Sequence, residues 1–262
     1  MEPVYRTVVG VFLGAFKLRG WDVRIAGGEH IPQHGGAVIA TNHVSYLDFV
    51  FVGAGVRAAT RDKRLVRFAA KKEAFDHRLS GPLMRAMRHI PVDRQGNPAA
   101  AIDESVRLLR AGELVGMFPE STISPSYEPL PAKTGTVRMA QEAGVPIVPG
   151  AVWGCQRLFP KGRKRDLRRD VVVTVAFGEP LHPTSDGDPE VATKAMMERI
   201  GALVRTAQDS YPQAPATGEE AWWLPARLGG TAPSPEEGAR MVAEAAARRR
   251  ERQAASELSS SD

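Results

Sequence analysis

The sequence predicts an α/β fold in which a largely covered sheet is flanked by helices. Three observations predict it: short apolar runs, helical patterns that alternate with them, and breaker residues at the joins. The apolar runs fall at residues 23–25, 37–41, 65–70, 114–118, 146–152 and 171–177. Several are apolar at successive positions and leave no polar face for water, so they belong in a sheet covered on both sides. Helical patterns lie between them at residues 46–56, 81–88, 98–110, 134–142 and 189–207. Asn97 followed by Pro98 marks a helix start, and Gly112 marks the stop of the same helix.

Taken in order, residues 1–20 form a separate N-terminal helix. Its apolar stretch from Val4 to Leu18 would be about 22 Å long, short of the roughly 30 Å needed to cross a bilayer. Arg6, Lys17, Arg19 and Trp21 bracket it, as in an amphipathic helix lying at a lipid interface. The same pattern fits a helix packed on the protein's own core. Glu2 and Pro3 stand where a secretory signal would be basic. Residues 21–211 form the main domain. Beyond Tyr211 the prolines at 212, 215, 225, 233 and 235, and an Ala- and Arg-rich end, read as a flexible tail over 212–262. The adjacent Trp222 and Trp223 are the exception and are expected to dock on the body. Residues 236–255 have helical propensity without a broad apolar face.

With 262 residues, 43% of them hydrophobic, the chain can bury a substantial core. The single cysteine, Cys155, excludes an intramolecular disulfide framework and any cysteine-clustered metal site. An excess of 35 Lys and Arg over 30 Asp and Glu points to an anionic partner. Phosphate-bearing ligands, anionic lipid and nucleic acid all qualify. Nucleic acid is disfavoured, because aromatic residues total 6% and are not interleaved with the basic ones.

Four constellations carry chemistry. The first is Asn42-His43 followed by Asp48, directly after the apolar run 37–41. A strand that delivers His43 to its end, followed by a helix starting near Tyr46, lets the Asp48 carboxylate reach back to the imidazole. One ring nitrogen is then fixed and the other is free to take a proton from a hydroxyl. Ser45 and Asp48 also read as a capping-box variant. Ser45 lies in no Gly-x-Ser-x-Gly elbow, so direct attack by a substrate hydroxyl is expected rather than a covalent enzyme intermediate. The second constellation, Ile90-Pro91-Val92-Asp93-Arg94, puts a guanidinium at a strand end, where it suits a phosphate. The third, Phe118-Pro119-Glu120-Ser121-Thr122, offers a carboxylate and two hydroxyls to a polyol. The fourth, Val145-Pro146-Ile147-Val148-Pro149-Gly150, is an apolar strand with two prolines, expected at a sheet edge or bulge.

In their order and spacing these four blocks resemble the glycerolipid acyltransferases, the lysophosphatidate and glycerol-3-phosphate acyltransferases, over roughly residues 20–180. The resemblance implies one α/β domain with a mixed sheet of the glycerol-3-phosphate acyltransferase kind. It implies that His43 deprotonates a glycerol hydroxyl, which attacks acyl-CoA or acyl-ACP, while Asp48 orients His43. Arg94 would hold the acceptor phosphate, with Glu120, Ser121, Thr122 and Asn42 in the acceptor loops and Val145 to Pro149 lining or supporting the acyl-side wall. No cofactor and no metal are implied. The expected acceptor is 1-acylglycerol-3-phosphate, with glycerol-3-phosphate, another lysolipid or a glycolipid as alternatives. The expected setting is an anionic membrane surface, peripherally on the cytoplasmic side of the plasma membrane. A non-catalytic lipid-surface protein is the alternative from another class.

Two departures stand out. Where the family pattern reads Phe-Pro-Glu-Gly-Thr-Arg-Ser, this chain has Ser121 for the glycine and Ile123 for the arginine. Candidate replacement cations are Lys133, Lys72, Lys71, Arg138 and the basic stretch 161–165, the last expected to attract lipid headgroups. The glycine usual before Ile-Pro-Val is replaced by Arg88-His89, and His89 is not expected to be catalytic.

Overall fold

Successive apolar residues on one strand need cover on both sides, and the sheet of the computed structural model supplies it. The structure describes residues 3–78, 80–93 and 98–259. The strands are β1 (Asp22–Ala26), β2 (Ala37–Thr41), β3 (Val66–Lys71), β4 (Ile90–Val92), β5 (Leu114–Met117), β6 (Ile147–Trp153) and β7 (Val172–Phe177). They form one sheet in the order β1-β7-β6-β2-β5-β3-β4. Neighbours run parallel except β6 and β7, so the sheet is mixed. The helices are α1 (Pro3–Arg19), α2 (Asp48–Ala59), α3 (Lys72–Asp76), α4 (Ser80–Ala86), α5 (Pro98–Arg110), α6 (Gly135–Ala143), α7 (Pro189–Asp209) and α8 (Pro235–Ser259).

Every residue of β2 is buried. Alternation explains how: Ala37 and Ile39 pack with Phe51, Val52 and Val56 of α2 on one face, while Val38 and Ala40 pack with Leu108 and Val137 on the other. With apolar matter on both faces, polar chemistry is left to the loops at the carboxyl ends of the strands.

The prolines of β6 do not mark an edge, for β6 lies inside the sheet between β7 and β2. Ile147 exchanges main-chain hydrogen bonds with Leu181 at 2.9 and 2.8 Å, and ladder pairing with β7 starts only at Gly150 opposite Phe177. Pro149 points toward the gap between those two contacts, where its carbonyl accepts from Gly178 N–H at 2.8 Å and its missing N–H leaves no ladder bond broken. Nor does this block form a wall open to a ligand. Ile147 and Val148 face opposite sides of the sheet and belong to the two separate core clusters.

Helix α1 packs one face on the core and leaves apolar residues on the other. Phe16 stacks on Phe51 with centroids 4.7 Å apart, and Tyr5 donates its hydroxyl to Val66 O at 2.6 Å. Val4, Val11, Leu13 and Leu18 remain exposed on the outside. Among the described residues no helix is long and apolar enough to cross a membrane.

The segment after Tyr211, expected to be a flexible tail, is instead packed at its start. Trp223 is fully buried against Tyr211, with the Arg157 guanidinium 4.6 Å from its ring centroid, and Trp222 meets the edge of Tyr127. Two large apolar rings outweigh the chain entropy that the nearby prolines and glycines favour. The boundary at Tyr211 therefore cuts through packed structure. Trp223→Ala is expected to lower stability by about 3–5 kcal/mol, read from the denaturant midpoint, with truncation after Tyr211 costing at least as much.

Candidate active site

Strand β2 ends at Thr41, but its hydrogen-bond ladder runs one residue further through a side chain. The Asn42 amide accepts from Val152 N–H at 2.8 Å and donates to Val152 O at 3.1 Å. Asn42, expected among the acceptor ligands, is thus buried and committed to the backbone of β6. Its effect is to set the direction in which the chain leaves the sheet and presents His43.

The Asp48 carboxylate then closes the turn. His43 Nδ1 lies 2.7 Å from Asp48 Oδ2, and the same oxygen accepts Val44 N–H at 2.7 Å and Ser45 N–H at 2.9 Å. Ser45 Oγ takes Leu47 N–H at 3.1 Å and donates to Phe159 O at 3.0 Å. One carboxylate therefore ties the turn ahead of α2 and holds the imidazole, while the N-cap of α2 is Leu47, which makes no side-chain cap hydrogen bond. Asp48 is fully buried, whereas the His43 side chain retains 20% exposure. A proton on Nδ1 facing the carboxylate leaves Nε2 as the acceptor. The ring stacks on Phe118 at 4.2 Å and 15°, and Phe118 stacks in turn on Phe68.

The loop after β5 grips His43 by its main chain. Glu120 Oε1 accepts His43 N–H at 2.9 Å, Glu120 Oε2 accepts Leu130 N–H at 2.9 Å, and Ser124 N–H donates to His43 O at 2.8 Å. Glu120, expected to face a polyol, has both oxygens on the backbone. Burial outweighs those two donors and pushes its carboxyl up to about 8. Ser121 occupies the left-handed region at φ 59°, a conformation costly to residues with a Cβ, which accounts for glycine in the family pattern. Ile123, at the position of the pattern's arginine, is buried. A cation does reach this loop from elsewhere: Lys161 Nζ donates to Thr122 Oγ1 at 2.9 Å.

The other expected acceptor ligands lie farther out. Lys72 is exposed and 3.0 Å from Asp93 Oδ2, at the paired ends of β3 and β4. Lys133 is exposed, and its N–H donates to Pro119 O at 3.2 Å. Arg94 lies outside the described residues. His89 is buried, with Nδ1 accepting Phe68 N–H at 3.1 Å, so it supports β3. Sequence reasoning gave no part to Phe118, Phe159 or Cys155. Only Phe118 had a usable signal, as the aromatic at the end of β5. An apolar pocket beneath α1, lined in part by Phe12, Phe16, Phe49, Val50, Gly53 and Val66, lies beyond the Phe118 and Phe68 rings. Among the described residues no group of three or more His, Cys, Asp or Glu side chains could hold a metal ion.

Two outcomes follow from the loop after β5. A carboxyl raised from 4.5 to about 8 on folding stabilises the protein below pH 4.5, and that contribution is lost as pH rises toward 8. The melting midpoint of Glu120→Gln should accordingly fall less between pH 5 and 8 than that of the unaltered protein. Ser121→Gly relieves about 1–2 kcal/mol of left-handed strain against about 0.4–1 kcal/mol of added unfolded-state entropy, so its midpoint should be unchanged or higher.

Comparison with known proteins identifies the family. The sequence model described as Acyltransferase matches residues 22–153. A 1-acyl-sn-glycerol-3-phosphate acyltransferase of Bacillus subtilis is 31% identical over 203 residues, covering 76% of this chain and 91% of that protein. One from Limnanthes alba is 36% identical over 169 residues, 63% of this chain and 56% of the plant protein. The crystal structure of the 1-acyl-sn-glycerophosphate acyltransferase PlsC from Thermotoga maritima shares the fold. Its TM-score is 0.65 at 24% identity, over 79% of this chain and 81% of that one. The chain belongs to the acyltransferase family that includes the 1-acyl-sn-glycerol-3-phosphate acyltransferases, and it is an enzyme of that family.

Proposed function

We propose that the protein moves a fatty acyl group from a thioester, acyl-CoA or acyl-ACP, to the free hydroxyl of 1-acylglycerol-3-phosphate, giving phosphatidate. The observation that carries the reading is the 2.7 Å contact of His43 Nδ1 with a buried Asp48 carboxylate. The acceptor hydroxyl gives its proton to His43 Nε2 as its oxygen attacks the thioester carbon. Asp48 steadies the imidazolium. The tetrahedral intermediate collapses with cleavage of the carbon–sulfur bond, and the thiolate leaves with the proton from His43. The stacked Phe118 and Phe68 rings beside His43 offer apolar surface to a hydrocarbon chain.

The acceptor phosphate is assigned to Arg94, aided by cations near the Thr122 loop. The exposed Val4, Val11 and Leu18, flanked by Arg6, Lys17 and Arg19, support peripheral binding to an anionic membrane on its cytoplasmic side. Buried Ile123 favours a second acceptor reading, in which a lysolipid or glycolipid without a terminal phosphate is used. Purified protein incubated with mixed acceptors and both thioester carriers, with products identified by mass, separates the two. In the same assay His43→Ala should lose about a hundred- to ten-thousand-fold in turnover while staying folded, with a lower melting midpoint because buried Asp48 loses a donor. Asp48→Asn should lose both turnover and stability, since one carboxylate serves both ends. Near-normal acylation by His43→Ala would remove the mechanism.

A further inference from the structure

Oxygen Oδ2 of Asp48 has three donors, and its other oxygen has one of a different kind. Cys155 Sγ lies 2.8 Å from Asp48 Oδ1, with both side chains fully buried. A carboxylate only accepts, so the thiol hydrogen is on the donor side of the contact. The cysteine is brought there from 107 residues away in sequence. β6 carries the chain past the end of β2, Gly154 turns it at φ 102°, and Cys155 opens the short 3-10 turn Cys155–Arg157 facing the start of α2. A Cβ on Gly154 would stand 2.2 Å from Val172 O, so the turn that aims the thiol is closed to other residues.

We infer that Cys155 is a positioning residue for catalysis, whose thiol donates to Asp48 Oδ1 and thereby holds the carboxylate rotated toward His43. The inference rests on the proposed His43 and Asp48 mechanism and adds a member to it. With Oδ1 and Oδ2 both engaged, the carboxylate cannot turn about its Cβ–Cγ bond without breaking a buried contact. The groups facing Asp48 are His43, the Val44 and Ser45 N–H groups, Cys155 and, from the loop after β5, the Glu120 carboxyl, which burial pushes up to about 8 and whose charge couples to that of Asp48. Burial beside Asp48 pushes the thiol well above its ordinary range, which keeps the donor proton in place.

Without that donor the negative charge on Asp48 is less satisfied and attracts a proton more strongly, either its own or that of His43. Both effects carry the acid limb of the pH profile upward. The test compares Cys155→Ala and Cys155→Ser with the unaltered protein and with His43→Ala. Expected for Cys155→Ala is a fall in kcat of about tenfold with KM little changed, and an acid limb of kcat displaced to higher pH. Cys155→Ser keeps a hydroxyl donor and should restore the limb. If Cys155→Ala proves too unstable to assay, the proton resonance of His43 Nδ1–H in Cys155→Ser and unaltered protein gives the second reading, conserved in the serine variant if a donor is all that is required. Unshifted kcat and pH profile in folded Cys155→Ala, or a serine variant whose resonance and profile depart from those of the thiol protein, overturns the inference. An active His43→Ala protein would instead sink the underlying mechanism, so the two failures are distinguishable.

Discussion

A buried carboxylate with four donors, that of Asp48, joins the end of β2, the first turn of α2 and the turn after β6. Isolated from water, a charge there would be prohibitive, and removing any one donor leaves a cost that the remainder cannot cover. The imidazole, two backbone N–H groups and a thiol together make it tolerable. The same bonds that make burial possible fix the ring on which the proposed reaction turns, so stability and orientation are not separable at this residue.

The surrounding loops extend that constraint. His43 is held by its N–H through Glu120 and by its carbonyl through Ser124, so the loop after β5 holds the backbone while Asp48 holds the ring. Strand β2 behind them packs apolar residues on both of its faces. The polar groups that cluster at the carboxyl ends of β2, β5 and β6 are used on one another first, and only a few point outward.

The secondary structure was legible because strand and helix periods differ and the breakers lie between them. The interior position of β6 was not, since two prolines normally signal an edge; the gap opposite Pro149 depends on where β7 stops, which no local pattern records. In the site, His43 and Asp48 were readable because only four residues lie between them, a distance that a single turn can close. The roles of Asn42 and Glu120 were not. Spacing shows that a polar side chain is near the site but not whether it turns to a ligand or to main chain, and here both turn to main chain. A lone cysteine in the sequence points to no partner, and that of Cys155 lies 107 residues away and is set by tertiary structure. Trp223 was placed correctly on the body, but the prolines around it concealed that the packed region runs on past Tyr211.

Helix α1 is one layer thick, about 10 Å with its side chains, and its inner face lines the apolar pocket while its outer face is open. It touches neither Asp48 nor the clamp on His43. The pocket can therefore be reshaped through changes on a single peripheral helix while the bonds around Asp48 stay as they are.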